Sequence, residues 1–306
     1  MDRRQFLKYN MQGALYVAAG AAGFIWPATG SAKDNPYVVI VEGDPEAATR
    51  AAVERLGGMK KFVKSGDRVV IKPNMSFARP LEAATNTHPM VVFALAKMCR
   101  EAGAAKVMVL DHPLHRVVDC IRLAGIEAAC QPLDGVETRM ISSKRLFTRV
   151  KLPAGEDMRE TDIAREVLRS DVLIAAPVAK SHSSAGVSLG MKGMMGLIYD
   201  RHVMHGRYDL DTSIVDMCTE LNADLTVVDA SRVLMSGGPS GPGDVLKADT
   251  IIASADMVAA DAATVALFPW YGKRMRPGQI EYLAMAAKRG LGRIDIENLT
   301  VQKVKL

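Results

Sequence analysis

Arg68-Val69-Val70-Ile71, then a helical pattern from His88 to Ala102 closed by Gly103, then Lys106-Val107-Met108-Val109-Leu110: this stretch decides the fold. Two short apolar runs separated by an amphipathic stretch form a βαβ unit, whose strands are parallel and covered on both faces. Working outward, Tyr37-Val38-Val39-Ile40-Val41 reads as a preceding strand, and Pro45 to Leu56 as a helix ended by Gly57-Gly58. Further along, Asp171-Val172-Leu173-Ile174-Ala175-Ala176, Leu225-Thr226-Val227-Val228 and Ile251-Ile252 continue the strands, and Ala255 to Leu267 reads as a helix. Residues 131–157 break the rhythm, with hairpin character from Arg139 to Lys151. The expected fold class is α/β. A single domain over 33–306 has a mostly parallel central sheet with helices on both faces in Rossmann-like layering, and a small irregular insertion at 131–157.

Residues 1–32 differ from the rest. Arg3-Arg4-Gln5-Phe6-Leu7-Lys8 precedes an uncharged Ala- and Gly-rich run from Met11 to Trp26, then Pro27 and the small residues Gly30-Ser31-Ala32. A positive start, a short apolar middle and a small-residue end make an export signal, and the paired arginines match the twin-arginine (Tat) class. The run is shorter than the roughly 20 residues a membrane span requires, so no stable span is expected in the mature form. The expected location is the periplasm, reached through the Tat export machinery; a conventional secretion signal and a leader retained as an anchor stay open. The chain carries +5 formally, of which the leader supplies +2. The scattered +3 that remains, without a basic and aromatic stripe, gives no reason to expect nucleic acid.

Cys99, Cys120, Cys130 and Cys218 include no Cys-x-x-Cys pair, so a cysteine-ligated iron–sulfur cluster is not expected. Cys99 and Cys218 read as buried free thiols, and Cys120 with Cys130 is the one pair worth testing for a disulfide.

In open parallel sheets ligands bind beyond the carboxyl ends of the strands, and polar residues gather there in this sequence. Lys72 and Asn74 flank Pro73 two apart and so can point the same way. Thr87 reads as the N-cap of a helix with Pro89 in its first turn, and Asp111-His112-Pro113 as a strand exit and turn. After the 171–176 strand come Lys180 and His182, then Leu189-Gly190-Met191-Lys192-Gly193-Met194-Met195-Gly196, then His202 and His205. Lys192 reads as buried and so requires a carboxylate, a phosphate or a ligand, and three glycines suggest closely approached backbone. Asp229 ends a strand ahead of a loop containing Gly237 and Gly238; Asp256 starts a helix, and Asp261 reads as buried with Lys72, Lys180 or Lys192 as its partner.

These motifs, assembled, resemble the family catalogued as domain of unknown function 362. The likeness rests on Val70-Ile71-Lys72-Pro73-Asn74, Thr85-Asn86-Thr87, Gly103 to Val107, Lys180-Ser181-His182, Met191-Lys192-Gly193-Met194-Met195-Gly196, Val228-Asp229-Ala230, Gly237-Gly238-Pro239 and Asp256 to Asp261. They run in family order from about residue 37 to 268. The resemblance implies asparagine where this chain has Gly193, and some relatives carry a ferredoxin-like module that is not evident here.

The functional expectation is an exported protein, with enzymatic activity left open, that binds a small anionic molecule or an organic or redox cofactor in a Lys/His/Asp-lined crevice. Lys72, Asn74, Lys180, Asp229, Gly237, Gly238, Asp256 and Asp261 are the candidate ligand-binding residues; His182, His205 and Lys192 are the candidate catalytic groups. Two alternatives stay open: a metal-binding redox accessory using His182, His202 and His205, and a non-catalytic assembly factor for an exported redox partner.

Overall fold

The computed structural model describes residues 37–306, and residues 1–32, read above as an export signal, lie outside the described residues. Strands β1 (Val38–Glu42), β2 (Arg68–Pro73), β3 (Lys106–Asp111), β4 (Val136–Met140), β7 (Val172–Ala176), β10 (Leu225–Leu234), β11 (Val245–Ser254) and β14 (Val301–Lys305) form one sheet, in the order β14-β1-β11-β10-β7-β2-β3-β4. Among these strands only β11 runs against its neighbours; the other pairings are parallel. Strands β8 (Val178–His182) and β9 (Gly186–Ser188) form a spur, with β8 alongside β10 and β9 folded back on it. Two small ribbons complete the strands: β5 (Phe147–Lys151) with β6 (Glu160–Ala164), and β12 (Pro269–Trp270) with β13 (Lys273–Arg274).

Strand residues alternate between two cores, as a sheet buried on both faces requires. Val39, Val69, Ile71, Val107, Val109 and Ile174 face one core, together with α1 (Pro45–Arg55), α2 (Pro89–Glu101) and the ends of α3 (Val117–Ala124) and α4 (Ile126–Cys130). Val38, Val70, Met108, Leu110, Leu173 and Ala175 face the other. That second layer holds the β5–β6 ribbon, the one-turn helices α5 (Arg165–Leu168), α6 (Gly190–Gly193) and α7 (Val203–Gly206), and the longer α8 (Leu210–Cys218), α9 (Met257–Leu267) and α10 (Glu281–Lys288).

The α/β reading and its mostly parallel sheet hold, with corrections in detail. Residues 136–140 are not part of an insertion: they form the sheet edge, and all five are half-buried, so no apolar run marks them. The hairpin pairs 147–151 with 160–164, later than its expected place. Helix α2 is capped by His88, whose Nδ1 accepts from Met90 N at 3.1 Å, rather than by Thr87. Thr87 instead accepts from Asn74 N at 2.9 Å and donates to Ala176 O at 2.7 Å, tying the exits of β2 and β7 together. All four cysteines are buried and free, including Cys120 and Cys130.

The chain leaves β2 toward β3 and β4 on one side, while β7 and β10 lie on the other. The β2–β7 boundary is therefore a switch point, and the exits of these strands open a crevice of the kind that binds ligands.

Candidate functional site

Beyond the ends of β2, β3 and β7 lies a cavity of about 340 Å³. Its lining includes Lys72, Asn74, Asp111, Lys180, His182, Lys192, Arg201, His202 and His205. Local chain geometry explains the first of these. Lys72 shares the parity of Val70 on β2, and Pro73 holds it extended; Lys180 and His182, two apart on β8, project from one face.

The three lysines are buried, at 2%, 1% and 7% exposure for Lys72, Lys180 and Lys192, but they are held differently. Lys72 Nζ lies 3.1 Å from Asp111 Oδ1 and also donates to Pro73 O. Asp111 in turn accepts from Met75 N at 2.8 Å, Ser76 Oγ at 2.6 Å and His112 N at 2.8 Å. Lys180 Nζ donates to Thr85 O at 2.7 Å and sits 4.7 Å above the Phe77 ring. Lys192 Nζ has only the Met195 sulfur, at 2.8 Å. Burial lowers the pKa of all three, to about 7 for Lys180 and Lys192, and the Arg201 guanidinium adds to the effect on Lys192.

His182 Nδ1 accepts from the Ser184 and Ala185 amides, both at 3.2 Å. Its proton therefore resides on Nε2, and burial with the nearby Lys192 charge pushes its pKa down to about 3. The ring stacks on His205 at 5.9 Å between centroids. Arg201 donates to the carbonyls of His112 and Pro113, at 3.1 and 2.8 Å, and nothing in its sequence neighbourhood marked it as a site residue. Asn74 Oδ1 accepts from Val178 N at 2.9 Å, bracing the start of β8.

Two of the three glycines near Lys192 are closely approached. A side chain on Gly196 would overlap Asp111 Oδ1 and Lys72 Cε, and one on Gly190 would meet Asp261 Oδ1 at 2.9 Å. Gly193, in contrast, has Pro177 Cβ as its nearest neighbour at 3.9 Å and lines the cavity, so the asparagine implied by the resemblance would have room. Gly196→Ala should cost about 1–3 kcal/mol, because overpacking forces the ion pair apart. Gly193→Ala should be neutral, or stabilising by up to about 1 kcal/mol. Denaturant midpoints of the two variants check this pair; equal midpoints would contradict the packing described.

Several expected ligand residues lie elsewhere. Asp261, fully buried, accepts from Gly190 N at 2.8 Å and Met191 N at 2.9 Å; its partners are backbone amides, not a lysine. Burial pushes its carboxyl up to about 7, opposed by those two hydrogen bonds. Its role is to seat the turn that carries Lys192. Asp229 accepts from His88 N at 2.7 Å, Ser231 N at 2.9 Å and Ser231 Oγ at 2.6 Å, at the start of α2. Asp256 caps α9 through Ala259 N at 2.9 Å and also accepts from Tyr37 Oη at 2.6 Å. Gly237 packs inside its own loop and Gly238 against Ser181 O; Pro239 is the loop residue that reaches the cavity. His88, His112 and His115 likewise lie outside the lining, with His115 Nδ1 accepting from Ala78 N at 3.0 Å. Among the described residues no three His, Cys, Asp or Glu side chains are placed to share a metal ion, so His182, His202 and His205 do not assemble the expected ligand set.

The lining therefore brings Lys72, Lys180, Lys192 and Arg201 together around one carboxylate, Asp111. A larger open groove of about 750 Å³ lies apart from it, near His88, Arg232 and Lys305. No helix among the described residues is long and apolar enough to cross a membrane.

Among curated proteins the chain is similar to the Thylakoid-associated protein sll1697 of Synechocystis sp., with 25% identity over 258 residues, covering 80% of this chain and 75% of that protein. Among solved structures it is similar to the lactate racemase apoprotein of Thermoanaerobacterium thermosaccharolyticum, with 14% identity and a TM-score of 0.47. That similarity covers 74% of this chain and 57% of the other. Residues 69–266, which span the switch point and every cavity-lining side chain, match the family described as "Domain of unknown function (DUF362)", and the chain belongs to that family.

Proposed function

We propose that the cavity binds a small anionic molecule, a carboxylate, a phosphate ester or an organic cofactor bearing either. One observation carries the reading: four cationic side chains, three of them lysines nine-tenths or more buried, surround one cavity with a single carboxylate. Burying ammonium groups costs several kcal/mol each unless they are paired, and Asp111 pairs with only one of them. An anion in the cavity supplies the missing partner.

Native mass spectrometry of protein purified from its own host tests this. The expected result is a non-covalent adduct released as an acidic small molecule; a bare chain that is also not stabilised by added phosphate, oxalate or citrate would overturn the proposal. The pH dependence has a definite sign. In the empty cavity burial holds Lys180 and Lys192 at about 7, and a bound anion restores their charge, so binding takes up protons above pH 7. Affinity for oxalate should fall as the pH rises from about 7 toward the ordinary lysine range, by up to about tenfold per pH unit for each lysine coupled. A flat titration profile from pH 7 to 9 would contradict it.

The leader supports a second element of the proposal, export of the folded chain by the twin-arginine route to the periplasm. Replacing Arg3 and Arg4 by lysine should leave precursor in the cytoplasm, read by fractionation and immunoblot; undiminished export would refute this route.

A further inference from the structure

The three buried lysines differ in what holds the nitrogen. Lys72 has a carboxylate and a carbonyl, and Lys180 a carbonyl and an aromatic face; each gives an ammonium ion partners that offset part of the cost of burial. Lys192 has neither. Its one hydrogen-bond partner is a thioether sulfur, a weak acceptor, while the Asp211 carboxylate acts on it only from beyond ion-pair distance, and it stands at the cavity wall with 7% exposure. Beside it are His182, which presents Nε2–H, and the solvent-facing His205 stacked on that ring.

We propose that Lys192 is a nucleophilic amine that condenses with the carbonyl group of a small anionic aldehyde or oxo acid, while Lys180 and Arg201 hold the ligand's carboxylate or phosphate. The proposal rests on the anion-binding reading and adds a covalent step to it. The Lys192 nitrogen lone pair forms a bond to the carbonyl carbon as the C=O π pair moves to oxygen. Two protons join that oxygen, one from the amine and one from solvent by way of His205; water leaves, and a protonated C=N bond remains, an iminium whose nitrogen keeps the second amine proton. No oxidant or reductant takes part. The neutral His182 donates its Nε2–H to the carbonyl oxygen, polarising it without a proton of its own being lost. Burial brings Lys192 to about 7, so the cavity holds the free amine the step requires, and with a carbonyl ligand the anionic group lies against Lys180 and Arg201, leaving Lys192 neutral beside the carbonyl carbon.

The probes are glyoxylate, which carries a carboxylate, glycolaldehyde phosphate, which carries a phosphate, and propionaldehyde, which carries no charge. Each is incubated with the full chain at pH 7 with cyanoborohydride, which reduces an imine to a stable amine, and adducts are located by peptide mapping. The expected result is a single major adduct at Lys192, with the mass of the probe less one oxygen, from one or both anionic probes and far less from propionaldehyde. Labelling at Lys192 should be on the order of a hundredfold faster than at exposed lysines, whose ordinary range leaves less than ~1% free amine at this pH. Excess oxalate should suppress it, and Lys192→Arg should abolish it while the chain's circular dichroism is unchanged. Labelling spread over surface lysines, or equal labelling by propionaldehyde, would overturn the proposal. If oxalate and inorganic phosphate raise the melting temperature but no adduct forms at Lys192, the covalent step falls and anion binding stands; if neither anion binds, both readings fall.

Discussion

Replacing Asp111 by alanine should destabilise the protein by about 3–5 kcal/mol, because it leaves Lys72 as a buried cation without its partner. The loss reaches beyond the 3.1 Å ion pair. Asp111 also receives the Met75 amide and the Ser76 hydroxyl, so its removal frees two more donors in the segment that leads away from β2. Each donor stranded away from water adds about 1–3 kcal/mol if no new partner replaces the old one. Set against a total folding free energy of roughly 5–15 kcal/mol, such a change threatens the fold itself. Asp111→Asn keeps an acceptor and the shape but removes the charge, and should cost less than the alanine variant. Urea denaturation of both variants measures the ordering; an alanine variant within about 1 kcal/mol of the parent would mean that the ion pair is not what closes the crevice.

Lys180→Met should separate binding from stability. A buried charge is poor evidence for stability, and replacing it by an apolar side chain of similar volume is often neutral or stabilising by about 1–4 kcal/mol. Methionine can occupy the space over Phe77, losing the contact to Thr85 O and the interaction with the ring. The melting temperature of the empty protein should therefore hold or rise. Anion affinity should drop, since removing one desolvated charge from such a site costs about 2–5 kcal/mol, a loss of roughly 30-fold or more. Calorimetric titration with oxalate, paired with thermal melts, reads both quantities. A variant that binds as well as the parent would remove Lys180 from the site, whereas one that melts much lower would mean the lysine supports the fold.

The residues of the cavity were legible in proportion to how local their signals are. Lys72 and Asn74 announce themselves because an apolar strand running into Lys-Pro-Asn is a strand exit, and the carboxyl ends of parallel strands are where ligands bind. Lys192 was legible because an ammonium in a run of glycine and methionine has no inexpensive resting place. Asp111 read only as a turn residue: its pairing with Lys72 joins the ends of neighbouring strands and leaves no local pattern. Arg201 sits in a short irregular stretch between elements and carries no periodicity. Asp229, Asp256 and Asp261 were misplaced for one shared reason. A carboxylate can be satisfied by backbone amides as well as by a lysine or a ligand, and buried Asp229 and Asp261 and half-buried Asp256 all accept from amides here. The edge strands 136–140 and 301–305 escaped notice because half-exposed edges do not show the apolar runs that marked β2, β3 and β7.

Uncompensated positive charge inside one cavity underlies anion binding, and an anomalous scatterer reports that charge directly. Diffraction from crystals soaked in bromide should place a halide between the Lys180, Lys192 and Arg201 side chains, with stronger occupancy at pH 6 than at pH 9. Bromide found only at exposed lysines and arginines, with that cavity free of anion at both pH values, would contradict the central claim.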